Sequence, residues 1–554
     1  MINSIGLLLA PSEEGFLYPD KVSMLHLSLA LGNLSGYLNE KGIKTYLHDL
    51  NSEVSSKFDA KSSLFVNFYN ADLVHDYLRG LNNVFDTCCE KLLSEVDIGE
   101  IDSFGISVGA DYSLMQVHAG LVLGHYIKKY YKKEIFIGGN NISFIYIFPD
   151  VFRELWNVAM ESLPFIINGP GEETLAQLIS QINQGTPMED LMKINGLIRK
   201  VDGRPVSNKE NQPKVIQPCW DTLDLGAYKR YMAEDEKENI TNYYKFPGGF
   251  CGSPGQLVNQ FNKKKVERIN PTLMIPYIFN YNCPYSCAFC TQSDKDRDRG
   301  SIILGDVEHI INDLKNLKAK YKTKYFQFIN NAFNASGRFV DELCKKIIEE
   351  DFSIIWSDCG RFTNLTYERL KLMKEAGCVK LTFGLDTANF KMLKLIDKRL
   401  DIAHSEQVLR WCYDLGIMAD LEVIFGMPQE GDEEFQDTYE YIKRNYEFIN
   451  YFWVNEYFVV PNSLIGKYPE RYGIELIKDN KTYRQLLSEN QYFFKKGQPS
   501  LTHNAKLFGY NEKGGRSYEQ ILRDNKRKIH QLNKLQKKEF SEVSAVYRLL
   551  LKIG

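Results

Sequence analysis

From residue 266 onward, short apolar runs take turns with amphipathic helical periods, and that rhythm leaves few folds open. "TLMIPYIFNYN", "KYFQFINNAFN", "FSIIWSDCGRF", "CVKLTFGLDTA", "IMADLEVIFGMPQ" and "INYFWVNEYFVVP" read as strands. Between them, "HIINDLKNLKAKYK", "GRFVDELCKKIIEED", "TYERLKLMKEAG", "SEQVLRWCYDLG" and "EEFQDTYEYIKRN" carry helical periods. Strands separated by helices pair in parallel, because a helix-length crossover is what returns the chain to the same end of the sheet. The expectation over 266–470 is a partial (β/α)6 barrel of the TIM type, with its chemistry at the carboxyl ends of the strands.

The first 190 residues show a related pattern. "SIGLLLAP", "IKTYLHDLN", "IDSFGISVGAD", "EIFIGGNN" and the start of "LPFIINGPGEETLAQLISQI" read as strands. "KVSMLHLSLALGNLSGYLNEKG", closed by Gly42, reads as a helix, and so does "EETLAQLISQI", acidic in its first turn. A doubly wound, Rossmann-like domain is expected over 1–190. Ligands of such sheets bind beyond the carboxyl ends of the strands. Asp49, Gly105, Ser107, Gly138, Gly139, Gly169 and Glu172 fall at or near those ends. A glycine there either makes a tight turn or allows a ligand close to the backbone. Residues 191–265 read as a connector: a hairpin turning at Asp202-Gly203, then the irregular "AEDEKENITNYYKFPGGFCGSPGQ". Residues 471–554 read as a helical terminal region. Its basic run "RDNKRKIHQLNKLQKK" is expected to be a solvated helix face.

Charge is balanced, with 68 basic against 71 acidic side chains and a net of −3, so no global field favours nucleic acid or an anionic membrane. No apolar run approaches the roughly 20 residues of a membrane helix, and "MINSIGLLLAP" lacks the basic start of an export signal. Eleven cysteines, an odd number in a large chain, imply reduced thiols and a cytoplasmic setting. Cys344, Cys378 and Cys412 lie in apolar patterns and read as core residues.

Three cysteines stand apart. The first barrel strand ends in "NYNCPYSCAFC", which sets Cys283, Cys287 and Cys290 at C-x3-C-x2-C spacing. A closed zinc site takes four ligands, and a disulfide framework takes an even number. No histidine lies in the loop. On the residues alone the triplet is a zinc site with a distant fourth ligand, a redox dithiol, or a metal centre with one position left open.

The triplet, with Phe289 before its last cysteine, resembles the cluster loop of the radical S-adenosylmethionine superfamily. The resemblance implies a [4Fe–4S] cluster on Cys283, Cys287 and Cys290, whose fourth iron takes S-adenosylmethionine. An electron then cleaves the sulfonium and yields a 5′-deoxyadenosyl radical. It also implies roles on later strands. Asn330 and Asn331, in "INNAFN", stand where relatives meet the methionyl amino group. Asp386 and Thr387, in "FGLDTA", stand where many relatives read G-x-E-S and contact ribose or carboxylate. Lys398, in "LIDKR", matches a family lysine, and the backbone from Ile424 to Gly426, in "VIFGMPQEGDEEF", would face adenine. Asp386 read without the resemblance is a helix N-cap.

The opening "LAP…LSLALGNLSGYLNEKGIKTYLHDLN", with "FIGGNN" and "INGPGEET", resembles the cobalamin-binding Rossmann domain that precedes many such barrels. That implies cobalamin at the glycine-rich strand ends given above. The motif D-x-H-x-x-G is absent, so the cobalt would take no histidine from it. Together the two resemblances imply cobalamin-dependent methylation of an unactivated carbon, on a small-molecule or peptide substrate, with an external electron donor such as flavodoxin or ferredoxin. The alternatives are a cobalamin-independent rearrangement, cyclisation or peptide modification such as epimerisation, and a non-catalytic cobalamin or iron–sulfur binding protein.

Overall fold

The structure is a computed structural model that describes residues 1–13, 15, 27–58, 62–109, 113–228, 230–231, 271–291, 301–477, 481–495 and 509–540. The irregular stretch expected around "AEDEKENITNYYKFPGGFCGSPGQ" lies outside them. The chain divides into two compact units: Met1–Lys21, Ser28–Ala227 and Asp479–Leu507 form the first, and Val22–Leu27, Tyr228–Lys478 and Phe508–Gly554 the second.

The first unit is built on a seven-stranded sheet. Ser4–Leu9 pairs in parallel with Lys44–Asp49 on one side and Ser103–Ser107 on the other, and Glu134–Gly138 and Phe165–Ile167 continue outward in parallel. The chain therefore runs first to one side of Ser4–Leu9 and then to the other. This order puts a topological switch point between the carboxyl ends of Ser4–Leu9 and Ser103–Ser107, where doubly wound sheets open a crevice. Helices begin where the sequence supplies caps. Ser28 accepts from the Leu31 amide before Leu29–Glu40, and Ser113 accepts from the Gln116 amide before Leu114–Tyr131.

Two features depart from the expected boundaries. The hairpin Leu197–Val201 and Arg204–Ser207 is not a free connector: Leu197–Val201 pairs antiparallel with Phe165–Ile167 and extends the sheet. Asp202 and Gly203 both take positive φ, 48° and 75°, which suits a two-residue turn. The helix Tyr483–Lys495 belongs to the first unit and not to a separate terminal region. Its Tyr483 ring is buried and packs edge-on to His118 and Phe152.

The second unit holds a six-stranded sheet whose strands follow one another in chain order and are all parallel: Met274–Tyr277, Tyr325–Phe328, Ile355–Gly360, Cys378–Asp386, Met418–Phe425 and Tyr451–Glu456. The intervening helices Val307–Tyr321, Gly337–Glu349, Tyr367–Glu375, Ile402–Asp414 and Asp432–Arg444 are those expected from periodicity. This is the order of a (β/α) barrel. Register separates two faces. Leu381, Phe383, Leu421 and Val423 form an apolar set, as a covering helical layer requires. The other face carries Lys380, Thr382, Asp420 and Glu422. Lys380 and Asp420 pair at 2.5 Å with almost no exposure.

The basic run lies in the helix Tyr518–Phe540, but its face is not simply solvated. Lys528 is fully buried and pairs with Glu430 at 2.7 Å. Among the described residues, no helix is long and apolar enough to cross a membrane.

Candidate active site around the cysteine loop

The loop that carries the three cysteines follows the first strand of the second unit. Below it, Asn330 and Asn280 tie strand ends together. Asn330 Oδ1 accepts from the amides of Phe279 and Asn280 at 3.0 and 2.9 Å, and Nδ2 donates to Asp358 at 2.7 Å. Asn280 Oδ1 accepts from the Ala332 amide at 2.7 Å. Burial pushes the Asp358 carboxyl up to about 8, against the bonds it accepts from Asn330 and the Cys359 amide.

This corrects one expected role. Both lone pairs of the Asn330 amide oxygen are in use, so it offers no acceptor to an ammonium group. Its work is to hold the first and second strand ends in place. Asn331 is exposed.

Within the loop, Cys287 is buried while Cys283 and Cys290 are half-buried, and none of the three is in a disulfide. The Cys290 amide donates to the Cys287 carbonyl at 2.9 Å. Ala288 anchors the loop from both sides: its amide donates to Ile396 and its carbonyl accepts from Ile465. Ala288 is also buried in an apolar cluster with Met392, Ile396 and Met427, against which Phe289 and Ile424 pack. The cysteine loop and the end of the fifth strand thus share one core. Burial pushes the Cys283 thiol up, while the Tyr285 amide, Arg361 and Lys398 pull it back. Among the described residues, no three His, Cys, Asp or Glu side chains are gathered closely enough to hold a single metal ion.

Two cations from later in the chain act on this loop, Arg361 and Lys398. Arg361, just after the third strand, sets its guanidinium over the Tyr285 ring, 3.8 Å from the centroid. Its Nη1 reaches Cys287 Sγ at 3.7 Å and its Nη2 donates to the Lys398 carbonyl at 2.9 Å. Lys398 is buried and forms an ion pair with Asp386 at the end of the fourth strand. Asp386 takes φ 58°, at a register shift where Gly384 and Asp386 face consecutive residues of the fifth strand. Aspartate tolerates that left-handed conformation better than most residues. Asp386 is not an N-cap: the helix Phe390–Leu395 is capped by Asn389, which accepts from the Met392 amide.

Thr387 and Gly426 are committed to the scaffold. The Thr387 hydroxyl lies 3.2 Å from that of Thr438 and accepts from the Asn389 amide. The Gly426 amide donates to Glu430 and its carbonyl accepts from the Tyr510 hydroxyl. A Cβ on Gly426 would meet Asn525 at 2.2 Å. Its polar groups are therefore spent on the turn and not turned toward a ligand.

Glu422 was not singled out by the sequence reading. It lies on the polar face of the fifth strand, opposite Trp453 in register. Burial and then the nearby Asp386 raise its pKa, and Lys398 opposes them. Its alternation with Asp420 was the signal that could have found it. Arg361 could have been found from its place just after a strand.

In the first unit, the residues at the sheet's carboxyl edge divide. Ser107 and Gly138 end their strands. Gly105 lies one pair inside the strand, where a Cβ would meet Leu7 at 2.9 Å, so packing explains it. Gly139, at φ 125°, passes so close to Val108 that a Cβ would lie 2.7 Å from its carbonyl oxygen. Gly169 takes φ 78° beside Glu210. Asp49 caps the helix Leu50–Lys57 by accepting from the Ser52 amide. Glu172 opens the helix Glu172–Asn183, and burial raises its pKa. Nearby, Asn168 accepts from Ser143 at 2.7 Å and donates to Glu210 at 3.1 Å.

Comparison with known proteins finds distant relatives and shared folds. The chain is 24% identical over 285 residues to an uncharacterized methyltransferase of Pyrococcus horikoshii, covering 50% of this chain and 52% of that one. It is 22% identical over 312 residues to the anaerobic magnesium-protoporphyrin IX monomethyl ester cyclase of Rubrivivax gelatinosus, covering 55% and 48%. The chain thus spans about half the length of these curated relatives. Among solved structures, the radical S-adenosylmethionine methyltransferase TsrM of Kitasatospora setae, with cobalamin and a [4Fe–4S] cluster bound, superposes with a TM-score of 0.54 at 16% identity, over 87% of this chain and 82% of that one. The cobalamin-dependent radical enzyme OxsB with aqua-cobalamin gives 0.51 at 16% identity, over 90% and 57%. These likenesses show a shared fold that extends over both units. Residues 277–442, which include the cysteine loop, Arg361, Asp386, Lys398 and Glu422, match the family model of the radical SAM superfamily.

Proposed function

We propose that this protein is a cobalamin-dependent radical S-adenosylmethionine methyltransferase that methylates carbon in a small-molecule or peptide substrate, with an external reductant. The observation that carries the reading is a loop bearing Cys283, Cys287 and Cys290 that Arg361 joins, through Cys287 and the Lys398 carbonyl, to the Lys398–Asp386 pair beside a sequential parallel sheet, in a chain that also holds a doubly wound domain.

The donor set fits the cofactors. Three thiols on one short loop, with no histidine in it, suit a [4Fe–4S] cluster that keeps one iron open. Cys283, Cys287 and Cys290 would hold it. Lys398 and Asp386 offer one cationic and one anionic group to the charged ends of S-adenosylmethionine. When bound, these groups supply the electron and the sulfonium whose cleavage starts the radical chemistry. The protein's part is to hold the loop through Ala288 and Asn330, to place Lys398 by the Arg361 bond to its carbonyl, and to keep the site half-buried.

In the first unit, Ser107, Ser143, Asn168 and Glu172 lie at or near the carboxyl edge, with Asn168 bonded to Ser143 and Glu210, a polar setting that would suit the amide-rich rim of a corrin. His118 and His125 are engaged elsewhere, with the Phe68 carbonyl and with Ser162. Cobalamin on this edge would therefore take no imidazole from either.

The test is anaerobic reconstitution with iron, sulfide and hydroxocobalamin, then desalting. The expected protein retains iron, sulfide and corrin absorbance, forms 5′-deoxyadenosine from S-adenosylmethionine when reduced, and moves a labelled methyl group from S-adenosylmethionine onto bound cobalamin. Zinc without iron or sulfide would end the reading. Cluster and 5′-deoxyadenosine without retained corrin would replace methylation by a cobalamin-independent rearrangement or cyclisation.

A further inference from the structure

Arg361 makes contacts that a loop anchor alone does not need. Its Nη1 lies 3.7 Å from Cys287 Sγ, within the usual reach of an N–H to sulfur. Its Nη2 is spent on the Lys398 carbonyl, and its plane stacks on Tyr285, two residues from Cys287. Its Nε is buried with no partner. A guanidinium keeps its charge at any ordinary pH and presents its donors in a fixed fork. The stacking and the backbone bond hold that fork, so Nη1 is aimed at the sulfur and not free to swing toward water.

Resting on the cluster reading above, we propose that Arg361 sets the reduction potential of the iron–sulfur centre by donating a charged hydrogen bond to the Cys287 thiolate. Reduction adds one negative charge to the centre. A positive donor on a ligand sulfur stabilises that added charge more than it stabilises the oxidised state, so it raises the potential. Cys287 is the most buried of the three ligands, and there the bond is least screened by water. The same side chain bonds the Lys398 carbonyl, so it links the thiolate to the Lys398–Asp386 pair. Arg361 is a positioning and tuning residue: it touches a ligand of the cluster and does not bind iron.

The experiment is an EPR-monitored redox titration of the full chain after anaerobic reconstitution, without S-adenosylmethionine, on wild type and Arg361→Met, Arg361→Gln and Arg361→Lys. Methionine keeps bulk without charge or donor, glutamine keeps a donor without charge, and lysine keeps charge without the fork. Methionine is expected to cut the ratio of reduced to oxidised centres at a fixed potential about tenfold, a shift of about 59 mV for a one-electron couple. Lysine and glutamine should fall between it and wild type. Methionine with a full iron and sulfide load and an unchanged potential overturns the proposal. So does a series in which every variant fails to load the cluster that wild type loads, because Arg361 would then only hold the loop. Wild type that takes up no iron or sulfide is a different result: it removes the cluster reading itself, and this proposal with it.

Discussion

Lys528 carries its ammonium into the turn after the fifth barrel strand and meets the Glu430 carboxylate at 2.7 Å, with both side chains almost wholly out of water. The same ammonium reaches the Gly431 carbonyl at 3.2 Å, and Glu430 in turn accepts from the Gly426 amide. One residue away along the helix, Arg527 pairs with Asp432. A helix that reads as basic and solvated is therefore pinned to the Gly426–Gly431 turn by a charge that water does not share.

Lys528→Met should be strongly destabilising. It leaves Glu430 buried and unpaired, which costs about 3–5 kcal/mol in comparable cases. Adding Glu430→Gln removes the orphan charge and keeps an acceptor for Gly426, so the double variant should recover most of the loss. Thermal melts of the three proteins check this. A single variant that melts with wild type would show that the pair carries little of the fold.

Replacing any one of Cys283, Cys287 and Cys290 with alanine should abolish cleavage of S-adenosylmethionine and lower the iron and sulfide retained after reconstitution. Replacing Cys344 or Cys412, which are buried among apolar side chains, should leave the iron content unchanged. Burial holds both of those thiols above their ordinary pKa, so neither is a ready ligand. Iron that follows Cys412 and ignores Cys287 would move the centre elsewhere.

The strand–helix alternation was legible because each strand from Met274–Tyr277 to Tyr451–Glu456 is a short run rich in aliphatic and aromatic residues between amphipathic helical periods, even where one face carries Lys380, Thr382, Asp420 and Glu422. The cysteine loop was legible because its spacing is local. What escaped were relations between distant residues. Nothing local in "INNAFN" says that the Asn330 oxygen will be filled by the amides of Phe279 and Asn280. Nothing near Lys528 announces Glu430, 98 positions away. Asp386 was readable as a cap because it precedes a helix, but the cap is Asn389, and a left-handed φ turns Asp386 back toward Lys398. The hairpin at Asp202-Gly203 was legible as a hairpin. Its place in the first sheet was not, because edge pairing depends on which strand lies free at Phe165–Ile167.

Asp386→Ala should weaken S-adenosylmethionine binding about tenfold or more while iron and sulfide stay in place. The mutated carboxylate is the partner of Lys398, and a charged acceptor for ligand hydroxyls contributes about 1.5–3 kcal/mol. Asp386→Asn, which suits the left-handed backbone, should keep the fold and still lose the charge. Titration of the reconstituted variants with S-adenosylmethionine decides the matter. Unchanged affinity with a lowered melting temperature would confine Asp386 to partnering the buried lysine.

The first unit should lose stability in mild acid through His118. Its ring is fully buried, with Nδ1 2.6 Å from the Phe68 carbonyl and Nε2 bonded to the Tyr483 hydroxyl. Burial holds its pKa down at about 4, against 6.5 in an open chain. Between those values the unfolded chain takes a proton that the folded chain refuses, so stability falls as pH drops below 6.5, by about 2 kcal/mol at pH 5. His75, stacked 5.9 Å from Tyr483, shifts in the same direction by burial and adds to the effect. Asp72, held low by Arg484, adds to the loss only near pH 4, where the unfolded carboxyl takes up its proton, and little between pH 7 and pH 5. His118→Gln, which keeps a polar side chain without a titrating ring, should flatten the dependence. The measurement is the melting temperature of the first unit's transition at pH 7 and pH 5 in wild type and variant. An equal drop in the two proteins would place the acid sensitivity in other groups and leave His118 as a hydrogen-bonded core residue only.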